Sequence, residues 1–178
     1  MPHQDRLIQG SRFVVRAALL LNRVLLCAFL LGLLSTWLFP SFFAAWIQQD
    51  WIQQSNPSVE VHPILTGMRL LVLLGIAISV FADRIFVSLA QIIATVSTGD
   101  AFILANARRL QIIGWSLLAL QLLDIPGALI ARFFPAMGNA APDATFSIGG
   151  WIAVLMVFVL SRVFAAGAVM RDELEGTV

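Results

Sequence analysis

Four predominantly apolar stretches, each about the length of one membrane crossing, constrain this chain more than any other feature of its sequence. They cover residues 17–39, 64–82, 112–131 and 148–168. A helix rises 1.5 Å per residue, so about 20 apolar residues cross a hydrocarbon core of roughly 30 Å. Inside that core no water is available to backbone N–H and C=O groups, and a helix satisfies them within a single segment. Composition argues against a water-soluble alternative. The 178 residues are 60% hydrophobic and only 12% charged, and the mean hydropathy is +0.91. A soluble domain carries about 25% charged residues to cover its surface. The expected fold is all-α, an integral membrane four-helix bundle built as a single four-span domain over residues 1–178.

The first stretch is read as a retained span, not a cleaved signal peptide. Its apolar region exceeds the 7–15 residues typical of a signal peptide, and Phe39-Pro40-Ser41-Phe42-Phe43 is a poor approach to a cleavage site. Orientation follows from arginine, because positive charge is retained on the cytoplasmic side during insertion. Arg6, Arg12, Arg16 and Arg23 lie at the N-terminal end, Arg84, Arg108 and Arg109 between the second and third spans, and Arg171 in the tail. The connection 40–63 has no arginine, and 132–147 has only Arg132. Both termini are therefore expected in the cytoplasm. Trp37, Phe39 and Trp151 then fall at the outer membrane level and Trp115 at the inner one.

The connections carry their own patterns. In the outer loop 40–63, Phe42, Phe43, Trp46, Ile47 and Trp51 recur at helical spacing beside Gln48, Gln49 and Gln53, which predicts a short interfacial helix ended by Asn56-Pro57-Ser58. The second outer loop, around Gly138–Asp143, reads as a turn-rich connector. Between the second and third spans, the cytoplasmic joint 83–111 continues the second helix through Ile85, Leu89, Ile92 and Val96. Ser97-Thr98-Gly99-Asp100 should break it, with Gly99 at the C′ position and Asp100 capping a helix that starts at Ala101.

Ionisable residues within spans are costly and mark candidate sites. Arg69, Asp83, Arg84, Asp124 and Arg162 fall in this class. Depth along the helices brings Arg69 level with Asp124, and Arg162 close to Asp83, with Asn22 and Arg23 near the second pair. Two readings follow: structural charge neutralisation, or a polar path centred on Asp124, where Pro126 frees a backbone carbonyl. On the cytoplasmic face, Gly99, Asn106, Arg109 and Glu173 are candidate docking residues, with Asn106 and Arg109 projecting polar groups beside the acidic tail. The small residues Gly75, Ser79, Gly149, Gly150, Ala153 and Ala165–Ala168 are explained by close helix packing.

No phosphate-binding loop, nucleophile elbow, HExxH or paired catalytic carboxylates occur in the sequence, so no catalytic residue and no enzymatic function are assigned. His3 and His62 are too far apart for a metal site, and Glu60-Val61-His62 lacks a third ligand. No metal and no cofactor are expected. Cys27 is the only cysteine, so no disulfide forms within one chain. A net charge of +1 with scattered arginines gives no basic patch for direct nucleic-acid binding.

Two cytoplasmic segments resemble a known family. The run Gly99-Asp-Ala-Phe102-Ile-Leu-Ala-Asn106-Ala-Arg-Arg109-Leu110-Gln-Ile-Ile113-Gly114 is similar to the joint before the third span in the bacterial domain of unknown function 2975 family. The ending Val163-Phe164-Ala-Ala-Gly167-Ala-Val-Met170-Arg-Asp-Glu173-Leu-Glu175-Gly-Thr177-Val178 resembles that family's ending. The resemblance extends over nearly the whole chain, and Arg109, Gly114 and Glu173 are the positions carried over. It implies a small four-span protein of the bacterial inner membrane, by association a membrane partner of a soluble helix-turn-helix regulator, and brings no catalytic residues. The expected role is a non-enzymatic membrane regulator or anchor for a soluble cytoplasmic partner. The alternative is a small transporter or channel subunit, acting as a homo-oligomer around a polar site at Asp124 and Arg69.

Overall fold

A computed structural model of the chain describes residues 2–52, 61–97, 99–135 and 147–175. The expected outer connector at Gly138–Asp143 and the helix end at Asn56-Pro57-Ser58 lie outside these residues. Every regular element described is helical: α1 (Pro2–Leu38), α2 (Pro40–Trp46) continued by a π-helical turn (Ile47–Ile52), α3 (Val61–Val96), α4 (Leu104–Phe133) and α5 (Ile148–Glu175). Four of these hold segments long and apolar enough to cross a membrane, Gly10–Leu38, Val61–Val96, Leu104–Phe133 and Ile148–Leu174. Each contains one of the four expected spans, except that Phe39 falls outside α1. The most apolar window of α1 has no buried residue, and that of α3 is 6% buried. Such apolar helix surface would drive aggregation in water and is stable against lipid. The protein is a multi-pass membrane protein.

Helix ends follow local chemistry. Phe39 precedes Pro40, and the proline ring disfavours helical backbone at the residue before it. Accordingly α1 stops at Leu38, Phe39 adopts φ −127°, and Pro40 opens α2 at a position where a missing N–H costs nothing. The expected helix in the first loop therefore exists. Its Ile47 is fully buried in a small core with Ile64 and Leu65, against Phe43, Val61 and Met68. The second helix continues past Asp83 to Val96 as its periodicity predicts. Hydroxyl groups within the apolar helices turn back on their own backbone: Ser35 Oγ donates to Gly32 O (2.7 Å), Thr36 Oγ1 to Leu33 O (2.8 Å) and Ser161 Oγ to Phe158 O (2.7 Å). That removes donors that lipid would leave without partners.

Contacts cluster into two compact units. One comprises Met1–Arg23, Val80–Gln121 and Ser147–Val178, the other Val24–Ser79 and Leu122–Phe146. The first unit holds the joint before α4 together with the last turns of α5. The second holds α2 and the Ile47 core.

Candidate functional site

The joint is built on a glycine. Gly99 has φ +90°, a left-handed conformation that costs a residue with a Cβ and costs glycine nothing. Gly99 N–H donates to Val96 O (3.2 Å) and Asp100 N–H to Thr95 O (3.1 Å), the paired bonds of a Schellman motif with Gly99 at C′ as expected. Asp100 does not cap the next helix. Its N–H is committed to Thr95, the chain needs several residues to reverse direction, and α4 begins only at Leu104. The Asp100 carboxylate instead pairs with Arg171 Nη1 at 3.0 Å.

Asn106 is the hub of the turn. The sequence pattern predicts that it projects outward, but it is fully buried. Its Nδ2 donates to Thr95 Oγ1 (2.9 Å) and Ala101 O (2.9 Å), and its Oδ1 accepts from Arg109 Nη1 (2.8 Å). Thr95 Oγ1 in turn lies 2.9 Å from Ile92 O. One amide thereby ties the end of α3, the loop carbonyls and the start of α4. Asparagine suits this place because it offers two donors and an acceptor without charge. Arg109 lies one turn on along the same face and also donates from Nε to Gln91 Oε1 (3.0 Å), bracing α4 against α3.

Two further elements fasten the joint. Arg12 of α1 donates to Ser97 Oγ. Phe102 stacks on Phe164 of α5 with ring centroids 5.0 Å apart and lies against Gly167, where a Cβ would come within 2.7 Å of the ring. Joint and tail thus meet through Asp100–Arg171 and Phe102–Gly167. Arg109 bonds within the joint, and Glu173 is exposed on the last turn of α5.

The charges within the spans find partners other than those inferred from depth. Arg69 Nη2 donates to Thr36 O at 2.7 Å, and its guanidinium lies 4.9 Å from the Trp37 ring centroid. Thr36 is in the last turn of α1, whose carbonyls lack helical partners and carry the negative end of the helix dipole. A cation there is stabilised without a carboxylate. Asp124 is exposed on α4, which runs through Pro126 without interruption, and among the described residues no cation pairs with it. Asp83 pairs with Arg23 Nε at 3.0 Å, not with Arg162. Arg84 is exposed beside Asp83, lining a groove of about 360 Å³ with Val87, Ser88, Gln91 and Ile112. Arg162 is exposed on α5 and lines a separate groove of about 470 Å³.

A family model described as "Protein of unknown function (DUF2975)" matches residues 54–178. The chain belongs to the DUF2975 family. No curated protein and no solved structure matches it. In this DUF2975 member the match includes α3, α4 and α5 but leaves out α1 and α2, so it is narrower than the near full-length resemblance of the sequence reading. The three positions singled out by resemblance all lie within it. Gly114 has a physical reason to be small, since a Cβ there would approach the Phe158 ring to 3.1 Å.

Sequence reasoning missed Thr95, Gln91 and Thr36 as partners of the key polar groups. The only signal was position, each being a polar residue in or near the last turns of an apolar helix.

The Arg23–Asp83 pair has a measurable consequence. Its side chains are 55% and 28% exposed, so the protein encloses the pair only in part. Arg23→Leu and Asp83→Leu are expected to show a coupling of about 1 kcal/mol in a double-mutant cycle of unfolding in detergent. Strictly additive losses would reject the pair.

Proposed function

We propose that this DUF2975 member is a non-enzymatic protein of the bacterial inner membrane, with both termini in the cytoplasm, that holds a soluble partner on its cytoplasmic joint and acidic tail. The observation carrying this reading is the construction of the joint. A connector between two spans needs only a polar turn, whereas this one is fixed by a left-handed glycine, a fully buried asparagine, and contacts from α1 and α5. Rigid, preorganised loops lower the ordering cost of binding and suit recognition. Next to it the tail presents Asp172 and Glu173, both exposed, as a negative surface for a basic partner. By family association the partner class is a helix-turn-helix regulator. The transport reading draws less support, because Arg69 is bonded to the α1 terminus and not to Asp124.

The test is a deletion that begins after Arg171, so that the Asp100 pair survives. A photo-crosslinking residue in place of Ala105, exposed on the first turn of α4, reports the partner. In cells, full-length protein is expected to crosslink one soluble DNA-binding protein, and removal of residues 172–178 is expected to abolish that product while insertion and thermal stability remain. A product that persists without the tail, or no soluble product at all, overturns the docking reading.

A further inference from the structure

Arg162 is the clearest charge that the fold itself leaves without a use. It lies on α5 about 14 residues, roughly 21 Å, from Ile148, within a segment of apolar character. It is exposed, and no hydrogen bond or ion pair holds it among the described residues. An arginine at a lipid-facing position is costly unless its guanidinium reaches an anion or the headgroup layer.

The surroundings of Arg162 form a site suited to such an anion. The groove is lined by Gln111 and Trp115 of α4 and by Phe158, Val159, Ser161 and Arg162 of α5. Trp115 and Phe158 meet edge to face at 5.3 Å and make a fixed apolar wall, which exists because Gly114 leaves room for the Phe158 ring. Gln111 is exposed and supplies an amide donor. Arg108 precedes Gln111 by three residues and Trp115 by seven, so all three share a face of α4. Arg108 is exposed, also without a partner among the described residues. It lies about one turn, roughly 5 Å, nearer the polar end than Gln111. Arg162 is thus set only slightly deeper than a second arginine at the membrane boundary. Below both, Phe158 and Val159 continue as apolar surface.

We propose that this groove is a binding site for an anionic phospholipid. Its phosphate diester takes the Arg162 guanidinium and the Gln111 amide, Arg108 lies at the outer side of the headgroup, and an acyl chain runs along Trp115, Phe158 and Val159. The planar guanidinium fork matches two phosphate oxygens, and a tryptophan at the boundary orients toward the headgroup with its ring in the chain region. The assignment depends on membrane insertion but not on which side of the membrane the joint faces.

The test uses the full chain in mild detergent with native mass spectrometry, titrating dioleoyl-phosphatidylglycerol, dioleoyl-phosphatidylcholine and inorganic phosphate. Wild type is expected to retain phosphatidylglycerol over phosphatidylcholine, and millimolar inorganic phosphate is expected not to displace it. Arg162→Gln is expected to weaken retention about tenfold, the scale of one charge-assisted contact. Val159→Trp fills the groove with both arginines intact and is expected to do the same, so it decides the matter if Arg162→Gln fails to fold. Arg16→Gln, an exposed arginine of α1 outside the groove, is expected to leave retention unchanged. Equal retention by Val159→Trp, equal loss in Arg16→Gln, equal binding of phosphatidylcholine, or displacement by inorganic phosphate would each overturn the proposal.

Discussion

Asn106→Ala is expected to lower the stability of the folded protein by about 3 kcal/mol, the range reached when a buried polar network loses its central member. The side chain is fully buried, and its removal takes a contact from several groups at once. Ala101 O loses a donor, Thr95 Oγ1 loses its amide contact, and Arg109 Nη1 loses the Oδ1 acceptor. Thr95 Oγ1 keeps Ile92 O and Arg109 keeps Gln91. The cost therefore falls chiefly on Ala101 O and on the emptied amide site, where a lost partner costs more than the net worth of an ordinary hydrogen bond. Asn106→Asp should also be costly, because a carboxylate keeps the Arg109 contact but cannot donate to Thr95 or Ala101. Arg108→Ala, nearby on the same helix but exposed, should change stability by less than about 0.5 kcal/mol. Denaturant titration in micelles, followed by tryptophan emission, measures all three. A loss below about 1 kcal/mol for Asn106→Ala would mean that the turn is held by its glycine and hydrophobic contacts alone.

Gly167→Leu is expected to cost about 2 kcal/mol by overpacking the contact between joint and tail. A Cβ at this position would stand 2.7 Å from Phe102 Cδ1, closer than carbon atoms approach without movement. The Phe102 ring is already stacked on Phe164 and cannot shift without losing that contact. Because the clash has a single named source, it should be relieved by a second change. Phe102→Ala loses packing by itself, yet Gly167→Leu made on that background should be nearly neutral, giving a strongly non-additive cycle. Additive effects would show that Gly167 is intolerant for another reason, such as the geometry of α5.

Residue chemistry explains which features were legible in the sequence. The four long helices follow from apolar length, a signal that needs no knowledge of neighbours. The turn at Gly99 was legible for the same kind of reason: left-handed backbone after an amphipathic run favours one residue type strongly. The ends of α1 and α2 are local too, fixed by Phe39-Pro40. Charge pairing was not legible. Depth along a helix places Arg23 and Arg162 near Asp83 without choosing between them, because depth says nothing about rotation around the helix axis. The Arg69 contact was hidden for a different reason. Its acceptor is the backbone carbonyl of Thr36, and every helix C-terminus offers such carbonyls whatever its side chains are. Asn106 was misread because a polar residue near a membrane boundary looks solvated. Only the reversal of the chain at Gly99 brings Thr95 and Ala101 around it.

The joint and tail can serve a cytoplasmic partner only if both face that compartment, so the sidedness of the connections is decisive. On a Cys27→Ser background, single cysteines at Ser55, Asn139 and Asp172 should be exposed in intact cells to a thiol reagent that cannot cross the membrane. Labelling is expected at Ser55→Cys and Asn139→Cys, with Asp172→Cys labelled only after the cells are opened. Labelling of Asp172→Cys in intact cells, or protection of either loop position, would contradict it.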